Sequence, residues 1–259
     1  MPSYVIHYIC GNKLIEKYKV TPKDKSLFLV GNLIPDSSKL LGQMETASLS
    51  GDFRKEHRDE IQKEKHITHF RDIENQNKLI MLPNPNKFKD KYGISDLISL
   101  GYYYHLYTDK YFFSNIWKES FDFLTESLEP TTIKKEAKYV RIKKNNKIIP
   151  IKEFYSSKHL YHDYTIMNKI LLDYYNLEFD EKELRRYISS INNNIEEVDF
   201  NNIESVIKDT LFYIYESNNI MNTELEVFDK EVIINFINEL NKQFSIDNKD
   251  VIEKYLSKK

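Results

Sequence analysis

Apolar positions recur at helical spacing from the start of the chain. Ile6, Cys10, Leu14 and Ile15 share one face, which predicts a first helix over residues 2–18. Pro2 suits an N-terminal helical position, and His7 falls on the border of the apolar stripe. Residues 26–34 (SLFLVGNLI) form a compact apolar stretch stopped by Pro35, with Asp36 just beyond. From 42 to 93 the pattern is polar and poorly periodic, and Pro83 and Pro85 mark a loop. A connection of that length in a compact domain points to function. Ser95 is positioned to cap a long aromatic-rich helix running to Leu128, with Pro130 marking its end.

The pattern then changes. Two short β-type runs within 138–152 flank Asn145-Asn146 and predict a hairpin. Its basic residues read as a solvated edge rather than a phosphate-binding strip. Helical spacing resumes at 157–176, 180–193, 202–217, 225–244 and 248–257, and Asp180 with Glu183 fits a capping box. The predicted architecture is all-α with one small β-hairpin. Residues 1–176 read as the core, and 177–259 as a C-terminal helical extension packed on the same domain.

Composition narrows the function classes. Only 6 Gly and 7 Pro in 259 residues favour long uninterrupted elements over a many-turned sandwich. A net charge of -2 lacks the basic excess of a nucleic-acid binder. The single cysteine, Cys10, excludes an intrachain disulfide and fits a reducing compartment. No secretory leader is visible, and no apolar run approaches the roughly 18 residues that span a bilayer. The chain therefore reads as cytoplasmic.

All seven histidines lie within the first 162 residues, so imidazole chemistry belongs to the first two-thirds. The sharpest spacing is Gly101-Tyr-Tyr-Tyr-His105-Leu-Tyr-Thr-Asp109. Side chains four apart on a helix share a face, and an imidazole with a carboxylate so placed can hold one divalent cation. Gly101, one turn earlier, permits close backbone approach. The plainer reading is a hydrogen bond from His105 to Asp109 and nothing more. Partners for a metal site are His69, Asp36, which Pro35 aims, and His7 on the first helix. Their plainer readings are an exposed loop residue, a turn former and a helix-border residue. Tyr103, Tyr107, Phe70 and Phe113 are candidates to line a site, although core filling is the commoner role of aromatics.

Taken in order, Pro-Ser-Tyr-Val-Ile-His7-Tyr, Gly-Asn-Leu-Ile-Pro-Asp36, Thr-His69-Phe and Gly-Tyr-Tyr-Tyr-His105-Leu-Tyr-Thr-Asp109 resemble the zinc-dependent phospholipase C family, which groups with the S1/P1-type nucleases. The likeness covers residues 2–117 and weakens through 176. It implies an all-α phospholipase C/P1 nuclease-like domain acting on a small phosphoester or phospholipid by metal-assisted hydrolysis. It implies one zinc held by Asp36, His69, His105 and Asp109. A second would be served by His7 and Asp109, with Asp109 bridging. Asp36 and Asp109 would orient or deprotonate the attacking water. The secreted enzymes complete a three-metal cluster with a processed amino terminus and further His and Glu ligands. Here only His159, His162 and Asp163 follow, so one or two ions are expected, with His162 the extra ligand. Two other readings stand beside this one. His162-Asp163 is a literal dyad of the HD phosphohydrolases, with His105 and Asp209 as its nominal partners. Alternatively, the chain is a helical protein that keeps metal ligands without catalysis.

Overall fold

The computed structural model describes residues 3–37, 58–191, 195–221 and 224–257. Pro2 and the stretch 38–57 therefore lie outside the described residues. The fold is mostly helical with one small antiparallel sheet.

Helix α1 (Tyr4–Ile15) is buried on nearly all sides. Ser3 caps it by accepting from the Ile6 N–H. A helix that is apolar all round belongs at the centre of a bundle. Helix α2 (Pro22–Leu33) packs on it. Thr21 accepts from the Asp24 N–H and Pro22 occupies the first turn, where its missing N–H costs nothing. A single 3₁₀ turn, Ile34–Asp36, ends this helix and carries Asp36.

The polar stretch after it is not a loop throughout. It contains α3 (Arg58–Thr68) and α4 (Pro85–Tyr92), with Pro85 in a first helical turn. Helix α5 (Leu97–Tyr111) follows, capped by Asp96 rather than Ser95. The Ser99 N–H donates to Asp96 Oδ1 at 2.7 Å and the Asp96 N–H to Ser99 Oγ at 3.0 Å.

The expected continuation of this helix to Leu128 does not occur. After Tyr111 the chain makes a π-helical stretch, Phe112–Trp117, and a short turn, Lys118–Ser120. It then becomes strand β1 (Phe121–Leu124). Phe-Asp-Phe alternates, so Phe121 and Phe123 turn inward onto Trp117 and Phe154 while Asp122 is partly exposed. Strands β2 (Tyr139–Ile142) and β3 (Lys147–Pro150) form the expected hairpin, with Asn146 in the left-handed region at φ 57°. β1 pairs with β2, Phe121 opposite Ile142, giving the order β1-β2-β3.

The rest is helical: α6 (Leu160–Tyr175), α7 (Glu181–Arg186), α8 (Ile203–Asn218), α9 (Lys230–Asp247) and α10 (Lys249–Tyr255). Asp180 caps α7 through the Glu183 N–H. Around α1 stand α2, α5, α6, α8 and α9, so the C-terminal helices share the core of the N-terminal ones. Buried Asn241 of α9 donates to the Cys10 carbonyl and accepts from Tyr104 Oη.

The tightest crossing is α2 on α5. A β-carbon at Gly31 would lie 2.2 Å from the Ile98 carbonyl oxygen, and one at Gly101 would lie 2.1 Å from that of Phe28. Two glycines thus let the backbones touch, and that contact builds the site.

Candidate metal centre

Five polar side chains converge where α1, α2, α3 and α5 meet: His7, Asp36, His69, His105 and Asp109. All are buried, with Asp36 the most exposed at 2%. Each is aimed by its own element. His7 comes from the middle of α1. Asp36 sits on the 3₁₀ turn, where Tyr4 Oη donates to its carbonyl at 3.1 Å.

His69 follows the last turn of α3, which closes on Phe70 in the left-handed region at φ 54°. The Asn84 N–H donates to the His69 carbonyl, and Tyr102 Oη to that of Thr68 at 2.6 Å. The Phe70 ring packs on Phe88, Tyr92 and Tyr102, so this end of α3 is pinned by aromatic contacts. His105 and Asp109 stand one turn apart on α5.

The α2–α5 crossing sets the orientation of His105. Its Nδ1 lies 2.8 Å from the Asn32 carbonyl oxygen. A carbonyl only accepts, so Nδ1 carries the proton and the Nε2 lone pair of the neutral ring faces the cluster. Burial, then His7, push the His105 pKa well down, against the pull of Asp36 and Asp109. Burial also lowers the His69 pKa, opposed by the Asp109 carboxylate beside it. Neutral imidazoles are the metal-binding form. Asn32 also donates its amide to the His7 carbonyl at 2.6 Å, and the His7 and His105 rings stack at 3.8 Å.

Both carboxylates are drawn toward the ionised form. Burial would raise the Asp36 pKa, but the Lys65 ammonium beside it holds it below the usual carboxylate range. Lys65 Nζ lies 2.9 Å from Asp36 Oδ1. Burial likewise opposes ionisation of Asp109, and its contacts with His69 and His7 overcome it. Yet neither Asp109 oxygen has a hydrogen-bond partner among the described residues, and neither does either His7 ring nitrogen. The nearest polar atoms are His7 Nε2, 3.3 Å from Oδ1, and His69 Nε2, 3.4 Å from Oδ2.

These spacings fit a cation. Ligand atoms about 2.0–2.2 Å from one tetrahedral ion lie about 3.4 Å from each other. His69 Nε2 is 3.2 Å from His105 Nε2, 3.4 Å from Asp109 Oδ2 and 3.6 Å from Asp36 Oδ1. Two overlapping groups, His7-Asp36-His105 and His69-His105-Asp109, each have one ligand atom per residue within 4.8 Å of the others. A buried carboxylate with no donor is costly on its own, and an ion shared with the imidazoles would remove that cost.

His162 does not join the cluster. Its Nε2 faces the Glu224 carbonyl oxygen at 3.3 Å, and its neighbour Asp163 is occupied elsewhere. The Asp163 carboxylate accepts from the N–H groups of Glu226, Val227 and Phe228 at 2.7–2.9 Å. No metal-ligating group among the described residues includes His162, Asp163 or Asp209. Asp163→Ala is expected to destabilise the fold by about 3 kcal/mol, because three partly buried donors lose their acceptor. Metal content should be unchanged. Urea denaturation and elemental analysis check both, and loss of metal would point to the HD arrangement instead.

The aromatic candidates serve the core. Tyr103 and Tyr107 pack on Phe244, Tyr107 Oη donates to Asp247, and Phe113 packs on Trp117. A cleft of about 370 Å³ borders Ser37 and Thr68, the chain neighbours of Asp36 and His69. Residue patterns did not single out Asn32, Lys65 or Thr68. The i,i+4 spacing of Lys65 and His69 was the one available signal. No helix among the described residues is long and apolar enough to cross a membrane. Compared with family models, curated proteins and solved structures, the chain gives no significant match.

Proposed function

We propose that this chain is a metal-dependent phosphoester hydrolase of the zinc-dependent phospholipase C type. The observation that carries the reading is Asp109, a buried carboxylate whose two oxygens face His7 and His69 without a hydrogen bond. His69, His105, Asp36 and Asp109 would hold one ion. His7 and the other Asp109 oxygen offer ligands toward a second. Three imidazoles with two carboxylates suit zinc. When bound, the ion would supply Lewis acidity at a phosphoryl oxygen and lower the pKa of water. The protein's own part is orientation. Asn32 holds the His105 tautomer, Thr68 Oγ1 contacts His69 Nδ1 at 2.9 Å, and Lys65 fixes one oxygen of Asp36. That leaves Asp36 Oδ2 to orient or accept a proton from the attacking water. Substrates in this reading are small phosphoesters or phospholipids.

A non-catalytic metal site is the second reading, favoured by the near-complete burial of all five ligands. The test is elemental analysis after zinc loading, followed by assays with phosphodiester and phosphomonoester substrates. One to two ions per chain with hydrolysis is the expected result. Metal without hydrolysis selects the second reading, and a chain that takes no metal overturns both.

A further inference from the structure

His105 limits how many ions the centre can hold. Its Nδ1 lies 2.8 Å from the Asn32 carbonyl oxygen, so the ring keeps one lone pair, on Nε2. One neutral imidazole nitrogen serves one ion at a time. Both ligand groups, His7-Asp36-His105 and His69-His105-Asp109, need His105. Among the described residues no group of three ligands lacks it, so filling one group leaves the other empty.

The neighbouring charges choose between the two groups. Neither contains both carboxylates. Asp36 already has a cation, because Lys65 Nζ lies 2.9 Å from its Oδ1. The His69 N–H donates to the Lys65 carbonyl at 3.1 Å, so the last turn of α3 fixes the lysine and the histidine together. The two side chains are 15% and 3% exposed, which leaves little water to screen the ammonium from a nearby ion. Asp109 is in the opposite state. Neither of its oxygens has a hydrogen-bond partner among the described residues. His69 Nε2 stands 3.4 Å from Asp109 Oδ2 and 3.2 Å from His105 Nε2, spacings that suit ligands of one ion. A divalent cation is repelled from the Asp36 group by the adjacent ammonium and drawn to the Asp109 group by an unanswered carboxylate.

We infer that the centre holds a single divalent ion on His69, His105 and Asp109, and that the Lys65–Asp36 ion pair stands outside the ligand set, its ammonium weakening metal binding. The inference rests on the metal reading above and narrows its four ligands to three. Two imidazoles and one carboxylate suit zinc, and three protein ligands with an open fourth position are the arrangement of catalytic rather than structural zinc sites. Asp36, held by Lys65 and not by the ion, keeps its second oxygen for the proton-accepting role. Lys65 is a positioning residue in this arrangement.

The test is equilibrium dialysis of the metal-free protein against zinc, with visible spectra of the cobalt(II)-loaded protein to report on the ligands. The wild-type chain is expected to saturate at one zinc. Lys65→Met removes the neighbouring charge and should bind zinc at least about tenfold tighter, still at one per chain, because a like charge close by in a poorly screened site costs at least that much. Lys65→Arg should stay within a few-fold of wild type. A lysine with a merely structural role would move affinity the other way, since a loosened site binds less. Asp36→Asn should leave the cobalt absorption bands in place, whereas Asp109→Asn should shift or abolish them. Should Lys65→Met fail to fold, that contrast and the wild-type stoichiometry decide. Two tightly held zinc ions, a gain below tenfold or a loss of affinity in Lys65→Met, or cobalt bands altered by Asp36→Asn overturns this inference and leaves the hydrolase reading standing. A wild-type chain that takes up no zinc sinks both.

Discussion

Asp109→Asn is expected to lower zinc affinity at least about 100-fold and to raise the stability of the metal-free protein. The two effects have one cause. Asp109 is fully buried, and its oxygens find no donor among the described residues. An ionised carboxylate so placed costs free energy that only a cation would return. Asparagine keeps the shape, drops the charge and brings an amide donor toward one of His7 Nε2 and His69 Nε2, which lie 3.3 and 3.4 Å from the two carboxylate oxygens, and a carbonyl acceptor toward the other. Losing a ligand that is also a charge should exceed the 10–100-fold losses typical of groups that merely support ligands. The metal-free variant should gain about 1–3 kcal/mol, the desolvation cost of an unsatisfied buried group. At about 2–4 °C per kcal/mol for a chain near this size, the gain is visible in a thermal melt. Equilibrium dialysis measures the first effect. A variant that binds zinc like wild type, or a metal-free variant that melts lower, would show that Asp109 is structural.

Gly101→Ala should cost about 3 kcal/mol or more and take metal affinity with it. Helix propensity alone predicts the opposite sign, since alanine is favoured over glycine inside a helix by about 1 kcal/mol. Tertiary contact reverses it. The new methyl carbon would lie 2.1 Å from the Phe28 carbonyl oxygen and 2.8 Å from the Asn32 nitrogen, and neither can swing aside. Overpacking typically costs 1–3 kcal/mol, and a clash against backbone belongs at the upper end. To relieve it, α2 and α5 must part. The 2.8 Å contact between the Asn32 carbonyl and His105 Nδ1 then opens, and the ring loses the partner that holds its tautomer. Gly93→Ala is the control. Gly93 has φ 66° and no atom within 4 Å of a built β-carbon, so its cost is backbone strain of about 1–2 kcal/mol, with no effect on zinc. Denaturant unfolding and zinc titration of the pair separate packing from strain. Equal losses in both variants would defeat the explanation.

The elements that pattern reading missed share a physical feature. Helix α3 escaped because its inward residues are Lys65, Thr68 and His69, while its apolar Ile67 is 61% exposed. A helix that buries polar ligands instead of leucines has no apolar stripe to detect. Strand β1 escaped for another reason. Phe121-Asp122-Phe123-Leu124 continues an aromatic-rich helical run, and only pairing with β2, itself found as half of a hairpin, makes it a strand.

For the site, helical spacing singled out His105 and Asp109, which share a helix face whatever surrounds them, and the motif order that resembles the phospholipase C family joined His7, Asp36 and His69 to them. His162 shows the limit of that reasoning, since its place depends on how the segment near Glu224 crosses α6. The sequence by itself determined the helical class and the β2–β3 hairpin, which follow from local periodicity, and it nominated the five candidate ligands through the family resemblance. Only the tertiary structure decided that four separated elements bring those ligands within reach of each other. It also decided that Asn32 sets a tautomer through its backbone and that Lys65 stands beside Asp36. These depend on two helices touching at Gly31 and Gly101, and no local pattern encodes the distance between helices.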